Sequence, residues 1–315
     1  MRAGIASCVL AGLAACAGSA PDPTDAGEIA DASHPADVGE SADASADAGS
    51  DDAGGSADAA GADPCAVNAV PLIPVSFGDT ERYYVRVQIR GSTVALELDT
   101  GSNLTFVAQG PAAPAYTPRI GSYQIGCEEL PIAGRGLDVA GPSMVEGTPV
   151  VGLLGIDYLL EKPSILDVSA RSLARYRARP DDLISGHQLA SLPFDNVQGL
   201  ALVPCALDGT AVRLMFDTGG ETMWIGQQGR PGDPRQDVTD AQGTVFPVWV
   251  GTATLSAADL PERSVRTLRA PRFPYFEDTV RALGGNLHGL LGVEAFAGER
   301  LLVDRTRIVV LSSGR

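Results

Sequence analysis

Along most of its length the chain alternates short runs rich in Val, Leu and Ile with turns rich in Gly, Pro and Asp, and stretches of helical spacing are few. That pattern predicts strands and hairpins rather than a helical bundle. Two of the runs stand apart because they end in the same triplet. Thr93 to Leu98 (Thr-Val-Ala-Leu-Glu-Leu) and Ala211 to Phe216 (Ala-Val-Arg-Leu-Met-Phe) read as buried strands, and each leads directly into Asp-Thr-Gly. The first gives Asp99-Thr100-Gly101-Ser102 and the second Asp217-Thr218-Gly219-Gly220, so each Asp leaves a strand and enters a glycine-turned loop. Two carboxylates delivered in the same way suggest one shared site.

The correspondence extends well beyond the triplets. Seven residues after each Asp stands a large aromatic, Phe106 in Leu104-Thr105-Phe106-Val107 and Trp224 in Thr222-Met223-Trp224-Ile225. Further on, Gly152-Leu153-Leu154-Gly155-Ile156-Asp157 is echoed by Gly289-Leu290-Leu291-Gly292-Val293-Glu294. Fifteen residues past the first Gly of each block an Asp sits in a predicted hairpin: Asp167 before Arg171 to Tyr176, and Asp304 before Arg307 to Leu311. The chain is therefore an internal repeat. Each half reads as hairpin, Asp-Thr-Gly loop, variable segment, Gly-Leu-Leu-Gly block and closing hairpin.

Composition agrees with a mostly β domain: the 315 residues include 37 Gly and 22 Pro. The net charge of −16 is unevenly spread. Residues 17–64 hold ten Asp, two Glu and no Lys or Arg, whereas residues 65–315 carry only −5, which argues against nucleic-acid binding. The acidic stretch is Asp, Ala, Gly, Ser and Pro with almost no large apolar side chain, so it is expected to be disordered. As a flexible coil it would span on the order of 40 Å. It lacks the spacing of an EF-hand or a calcium-binding β-helix repeat. Ahead of it, Arg2 precedes a small-residue apolar run ending Leu13-Ala14-Ala15-Cys16, which is expected to be an export signal rather than a membrane span. The run resembles a bacterial lipobox, which implies a signal peptide over 1–15, lipidation of Cys16 and a tether over 16–64.

Other chemistries are tested by what is missing. The predicted domain has two histidines, His187 and His288, neither in a His-Glu-x-x-His pattern. There is no Gly-x-Ser-x-Gly elbow, no phosphate loop, no dinucleotide fingerprint and no paired Cys/His spacing for zinc. Cys65, Cys127 and Cys205 remain once the leader is set aside, which permits one disulfide and leaves one thiol. Cys205, inside the predicted strand Leu200 to Leu207, reads as a small core residue. The basic run Arg171, Arg175, Arg177 and Arg179 reads as a solvated strand edge.

The duplicated Asp-Thr-Gly and Gly-Leu-Leu-Gly pairs, in this order, resemble the pepsin and retropepsin superfamily of aspartic proteases over residues 70 to 315. The resemblance implies an all-β, bilobal acid-protease fold with two β-barrel-like lobes, here 65–185 and 186–315, and an active site between them. It implies an aspartic endopeptidase with catalytic Asp99 and Asp217, no metal and no cofactor, acting on a peptide or protein as a monomer that is its own pseudo-dimer. With the lipobox, it places the protein in a bacterial envelope. Thr100 and Thr218 would bond across to the opposite loop, and Gly101 and Gly219 would permit close approach. A flap is expected between Tyr116 and Gln124, with Tyr116 or Tyr123 over the substrate. Ser102 could bond Asp99, whereas Gly220 offers no hydroxyl to Asp217, a departure from the pepsin pattern. On that basis Asp99 is expected to carry the charge and Asp217 the shared proton. The alternative is an inactive pseudo-protease lipoprotein that binds peptides or envelope proteins. A passive adhesive lipoprotein would explain the tether but not the repeat.

Overall fold

Strand alternation sorts the side chains of the first hairpin, Thr80–Ile89 and Ser92–Leu98, onto two faces. Tyr83, Val85, Val87, Val94, Leu96 and Leu98 enter the main core, while Tyr84 and Ala95 join Ile73, Val145 and Val150 in a small cluster on the other side. Asp99 belongs to that second face, two residues beyond Glu97 and four beyond Ala95. The computed structural model describes residues 65–313 except 78–79, 109–120, 133, 137–140, 240–244, 274–276, 278 and 282. The leader, Cys16, the acidic tether and Tyr116 thus lie outside the described residues.

Both halves build the same knot of three strands. In the first, Ser92–Leu98 pairs in parallel with Thr148–Leu154, which in turn pairs antiparallel with Phe106–Ala108. In the second, Thr210–Asp217 pairs in parallel with Gly289–Gly292, which pairs antiparallel with Met223–Ile225. The Gly-Leu-Leu-Gly strand therefore lies between the strand that delivers the Asp and the strand that leaves its loop. Its first glycine is required by crowding: a Cβ on Gly152 would lie 2.1 Å from the Phe106 carbonyl oxygen, and one on Gly289 1.9 Å from that of Met223. Leu153, Leu154, Leu290 and Leu291 fill the core, as do Phe106 and Trp224.

The halves join through a six-stranded sheet ordered Gln188–Pro193, Arg307–Ser312, Glu299–Val303, Ser164–Asp167, Ser172–Tyr176 and Val67–Phe77. Its two central strands meet antiparallel with Ile165 opposite Leu302. Those two residues occupy equivalent places in the repeat, each thirteen positions past the first Gly of its block, so the pseudo-twofold runs between them. Each lobe then closes on its own sheet, and the second adds a long hairpin, Val245–Ala257 with Leu260–Ala270. The result is an all-β fold built from two similar halves.

One detail differs from the sequence reading, and one that it left open is settled. Arg175 is not on a solvated edge: it is 1% exposed, bonds Glu128 and Glu161, and stacks 4.1 Å from the Tyr158 ring centroid. Alternation along Ser172–Tyr176 sends its long side chain across the lobe, where two carboxylates and an aromatic face compensate the buried charge. The cysteines are also settled. Cys65 and Cys127 are bonded, with Cα atoms 5.9 Å apart, and Cys205 is free and half-buried. The bond ties the turn after Ser122–Ile125 to the start of the first strand, where Asn68 also accepts from the Cys127 amide and donates to the Ile125 carbonyl.

Candidate active site

Each Asp-Thr-Gly loop begins where a buried strand ends, and the two loops meet face to face. Thr100 Oγ1 donates to the Phe216 carbonyl at 3.0 Å and accepts from the Thr218 amide at 2.9 Å. Reciprocally, Thr218 Oγ1 donates to the Leu98 carbonyl at 2.8 Å and accepts from the Thr100 amide at 3.0 Å. Four buried bonds across the pseudo-twofold lock two segments more than a hundred residues apart. Both carboxylates are fully buried. Asp99 Oδ1 accepts from the Gly101 amide and Asp217 Oδ1 from the Gly219 amide, each at 2.9 Å. The remaining oxygens, Asp99 Oδ2 and Asp217 Oδ2, have no hydrogen-bond partner among the described residues.

The glycines set how closely the loops approach. A Cβ on Gly101 would stand 3.0 Å from Asp217 Cγ, and one on Gly219 2.8 Å from Asp99 Cγ, so each loop presses its glycine against the opposite carboxylate. A Cβ on Gly220 would stand 2.6 Å from Asp217 Oδ2. A side chain at Gly219 or Gly220 would displace the carboxylate it meets, and one at Gly101 would leave no slack against either aspartate.

Burial raises the proton affinity of both aspartates, but unequally. Asp217 is pushed well above the usual carboxylate range, first by burial, then by the charge of Asp99 and the interaction between the two carboxyls. Asp99 is raised by burial, while its partner Asp217, the charge of Arg82 and the amides of Gly101 and Ser102 all favour its ionised form. The pair as a whole therefore favours holding one shared proton, with Asp217 the more strongly raised of the two.

The cause is not the one the sequence suggests. The Ser102 hydroxyl donates to the Leu104 carbonyl at 2.8 Å rather than to Asp99. The loop turns at this point, the Ser102 amide bonding back to the Asp99 carbonyl, while the hydroxyl reaches forward along the chain. Tyr123 is likewise misplaced by the sequence reading: only 3% exposed, it packs in the first lobe's core with Val85, Leu96 and Tyr158, its hydroxyl against Thr105. Its strand, Ser122–Ile125, pairs back onto Thr80–Ile89 at Gln88 and Gln124, which turns the Tyr123 ring into the core.

Beneath each loop lies a support that the repeat contained but sequence reasoning left unassigned. Asp157, two residues past its block, accepts from the Thr105 amide and hydroxyl at 2.9 and 2.7 Å, and Thr105 Oγ1 accepts from the Gly155 amide. In the second half Glu294 accepts from the Thr222 amide, and Thr222 Oγ1 from the Gly292 amide. The signal was an acid two residues after the last Gly, opposite a Thr just past the Asp loop, in both halves.

A cavity of about 360 Å³ opens beside the second loop, lined by Arg82, Tyr83, Gly219, Gly220, Glu221 and Arg266 among others. That is the lower end of the size of small-ligand pockets. Glu221 and Arg266 are paired across it. Among the described residues no group of three or more His, Cys, Asp or Glu could hold a metal ion. His288 is exposed and accepts from the Arg213 amide at 3.1 Å, away from the carboxylates' own contacts.

No family model and no curated protein matches the chain. Solved structures similar to it include the basic 7S globulin from soybean, at 10% identity and TM-score 0.43, and conglutin gamma, a basic 7S globulin from lupine seeds, at 11% and 0.42. Each alignment covers 79% of this chain and 95% of the other.

Proposed function

We propose that this protein is an aspartic endopeptidase in which Asp99 and Asp217 activate a water molecule for attack on a peptide bond. The observation that carries the reading is the pair itself: two fully buried carboxylates, one from each half, held by reciprocal threonine bonds, with one oxygen of each lacking a hydrogen-bond partner among the described residues. Burying two adjacent carboxyls is costly, and both cannot ionise together. A fold that only needed two surface turns would have no reason to keep them.

In the reaction, ionised Asp99 takes a proton from the water as it attacks the carbonyl carbon. Asp217 donates its proton to the carbonyl oxygen, forming a neutral gem-diol. Collapse of that intermediate returns a proton to Asp217 from the diol, while Asp99 passes the one it holds to the leaving nitrogen, restoring the starting state. The amides of Gly101 and Gly219 hold each carboxylate in register through these transfers. No covalent intermediate is required.

The further elements of the proposal are a peptide or protein substrate, a monomeric enzyme, and attachment to a bacterial envelope through an acylated Cys16, with residues 17–64 as spacer. Doubly or triply acylated anchors hold stably where a single chain does not. Cys16→Ala would then release the protein from the membrane fraction, and an intact N-terminus ahead of Cys16 in mass spectrometry would remove this part.

The deciding experiment is cleavage of a diverse peptide pool across acidic to neutral pH, with and without a statine-type inhibitor, for the wild type and for Asp99→Asn and Asp217→Asn. Inhibitor-sensitive cleavage lost in both variants is expected. Peptide binding without cleavage by the wild type would instead identify a pseudo-protease.

A further inference from the structure

The repeat aligns the strand hairpins of the two lobes with a constant offset of 118 residues, the separation of Asp99 and Asp217. Registers agree: Tyr84 is directly opposite Glu97 in the first lobe, and Leu202 directly opposite Met215 in the second. At that offset Arg82, Tyr84 and Glu97 correspond to Leu200, Leu202 and Met215. The second trio is fully buried in an apolar cluster. The first is buried almost as completely, and it is polar: Arg82 Nη1 donates to Glu97 Oε1 at 3.0 Å, and the Tyr84 hydroxyl donates to Glu97 Oε2 at 3.2 Å.

A buried ion pair that well-packed apolar residues could replace is poor evidence of stabilisation, since the desolvation of the charges offsets their attraction. The other lobe shows that this fold accepts an apolar trio at the same place. Position supplies a reason for the difference. Glu97 lies on the same strand face as Asp99, two residues away, and Arg82 lines the cavity that Gly219 and Gly220 also line. Arg82 is a buried cation on the hairpin whose second strand delivers Asp99, and its charge favours the ionised form of both aspartates.

We propose that Arg82, held by Glu97 and Tyr84, is the positioning residue that breaks the symmetry of the carboxylate pair, acting as the counter-ion that keeps Asp99 ionised and leaves the shared proton on Asp217. The groups facing this cation are Glu97 and Tyr84 from its own hairpin, Glu81 beside it, and Glu221, Glu294 and Arg266 around the cavity. Those facing Asp99 are Asp217, Arg82 and Glu97. Glu97 is itself pushed up to about 7, by burial first, with Arg82 opposing and Asp99 adding. Below that pH it is neutral, and the positive charge of Arg82 is balanced by Asp99. The guanidinium stays ionised throughout, which suits a permanent counter-ion.

The inference rests on the protease reading for its kinetic consequence but not for its test. In the full chain labelled with ¹³C at the aspartate carboxyl carbon, Asp99 and Asp217 are assigned from the signals lost in their Asn variants, and the pair is titrated by NMR. The variant Arg82→Leu/Tyr84→Leu/Glu97→Met, which copies the second lobe, should raise the lower titration step of the pair by about one pH unit. The neutral variant Arg82→Gln/Glu97→Gln, which keeps polar side chains in place, should do the same if the triple variant does not fold. Arg82→Lys should restore the wild-type step. Glu97→Gln alone should leave that step where it is, because Glu97 already holds its proton there. In a cleaving enzyme the acidic limb of kcat/KM moves with the step. An unmoved lower step in both charge-removing variants overturns the proposal, as does an Arg82→Lys variant that behaves like Arg82→Gln/Glu97→Gln. Failure of the wild type to cleave peptides would count against the protease reading alone, since the titration is read without turnover.

Discussion

The same sheet face has been filled in opposite ways in the two lobes. In the second, Leu200, Leu202 and Met215 pack with Met223, Phe246, Val248 and Phe273 in a large apolar cluster. In the first, the corresponding face holds, among the described residues, a small cluster of Ile73, Tyr84, Ala95, Val145 and Val150 with Val75 packed against it, beside the buried pair Arg82–Glu97. The loops above these faces are nevertheless almost superposable in their bonding, threonine for threonine and amide for amide. Duplication has conserved the grip and let the ground beneath it diverge. A symmetric pair of carboxylates must be biased by something outside itself, and the divergence lies where such a bias would act.

The comparison breaks most sharply if either aspartate is removed. Asp99→Asn and Asp217→Asn should each reduce peptide cleavage on the order of 10³-fold or more, and the double variant little further, since residues that act as a unit are not additive. Retention of most of the wild-type rate by either single variant would show that the halves are not one site. Next in size is the grip. Thr100→Ala and Thr218→Ala each delete one donor and strand one buried amide, at about 1–3 kcal/mol of stability apiece by denaturant unfolding. Because the bonds are reciprocal, the two variants should cost alike. A large disparity would mean the lobes hold each other unequally.

The loops were legible in the chain because each is a contiguous triplet at the end of an apolar run, and because repetition turned a weak motif into a paired one. The three-strand knot and the joining sheet use that repetition, but the pairing of their strands is seen only in the structure. What escaped the sequence is what depends on contacts across strands. Glu97 within Thr-Val-Ala-Leu-Glu-Leu looks like an ordinary polar position, and its partners lie 15 and 13 residues back on the neighbouring strand. Aligning the halves at the offset of their aspartates would have exposed it as the counterpart of Met215. Tyr123 was misjudged for a related reason. A short strand alternates in and out, and which face is covered depends on the partner strand, here Thr80–Ile89, which local spacing does not name.

The polar trio should also mark the pH dependence of stability. Burial raises Glu97 from 4.5 to about 7, so the folded state binds its proton more tightly than the unfolded chain does. Its contribution is present in full below the unfolded value and is lost as pH rises through the folded one. Over that window the shift corresponds to about 3 kcal/mol. Glu97→Gln, which cannot ionise, should therefore lose less stability than the wild type between pH 4.5 and about 7. Equal slopes in chemical unfolding across this range would show that Glu97 is ionised in the folded protein. The second lobe, with Met215 in this place, predicts no comparable effect from Met215→Leu.

The smallest expected effect belongs to the fourth position of each loop, where the lobes differ most visibly in sequence. Ser102 and Gly220 suggest that one aspartate has a hydroxyl donor and the other has none. Yet the Ser102 hydroxyl is committed to the Leu104 carbonyl, and the groups that favour the charged form of Asp99 are its partner carboxyl, Arg82 and two backbone amides. Ser102→Ala should then cost at most about 1 kcal/mol of stability, through the lost loop bond, and leave both limbs of the kcat/KM profile in place. Gly220→Ser is not the mirror experiment. Its Cβ would stand 2.6 Å from Asp217 Oδ2, so the loop must shift before any new hydroxyl can reach the carboxylate. A fall in rate without a clean displacement of the basic limb is expected. If instead Ser102→Ala moved the acidic limb upward by as much as removing the charge of Arg82 does, the asymmetry would belong to the loops themselves, and the divergent faces beneath them would be incidental.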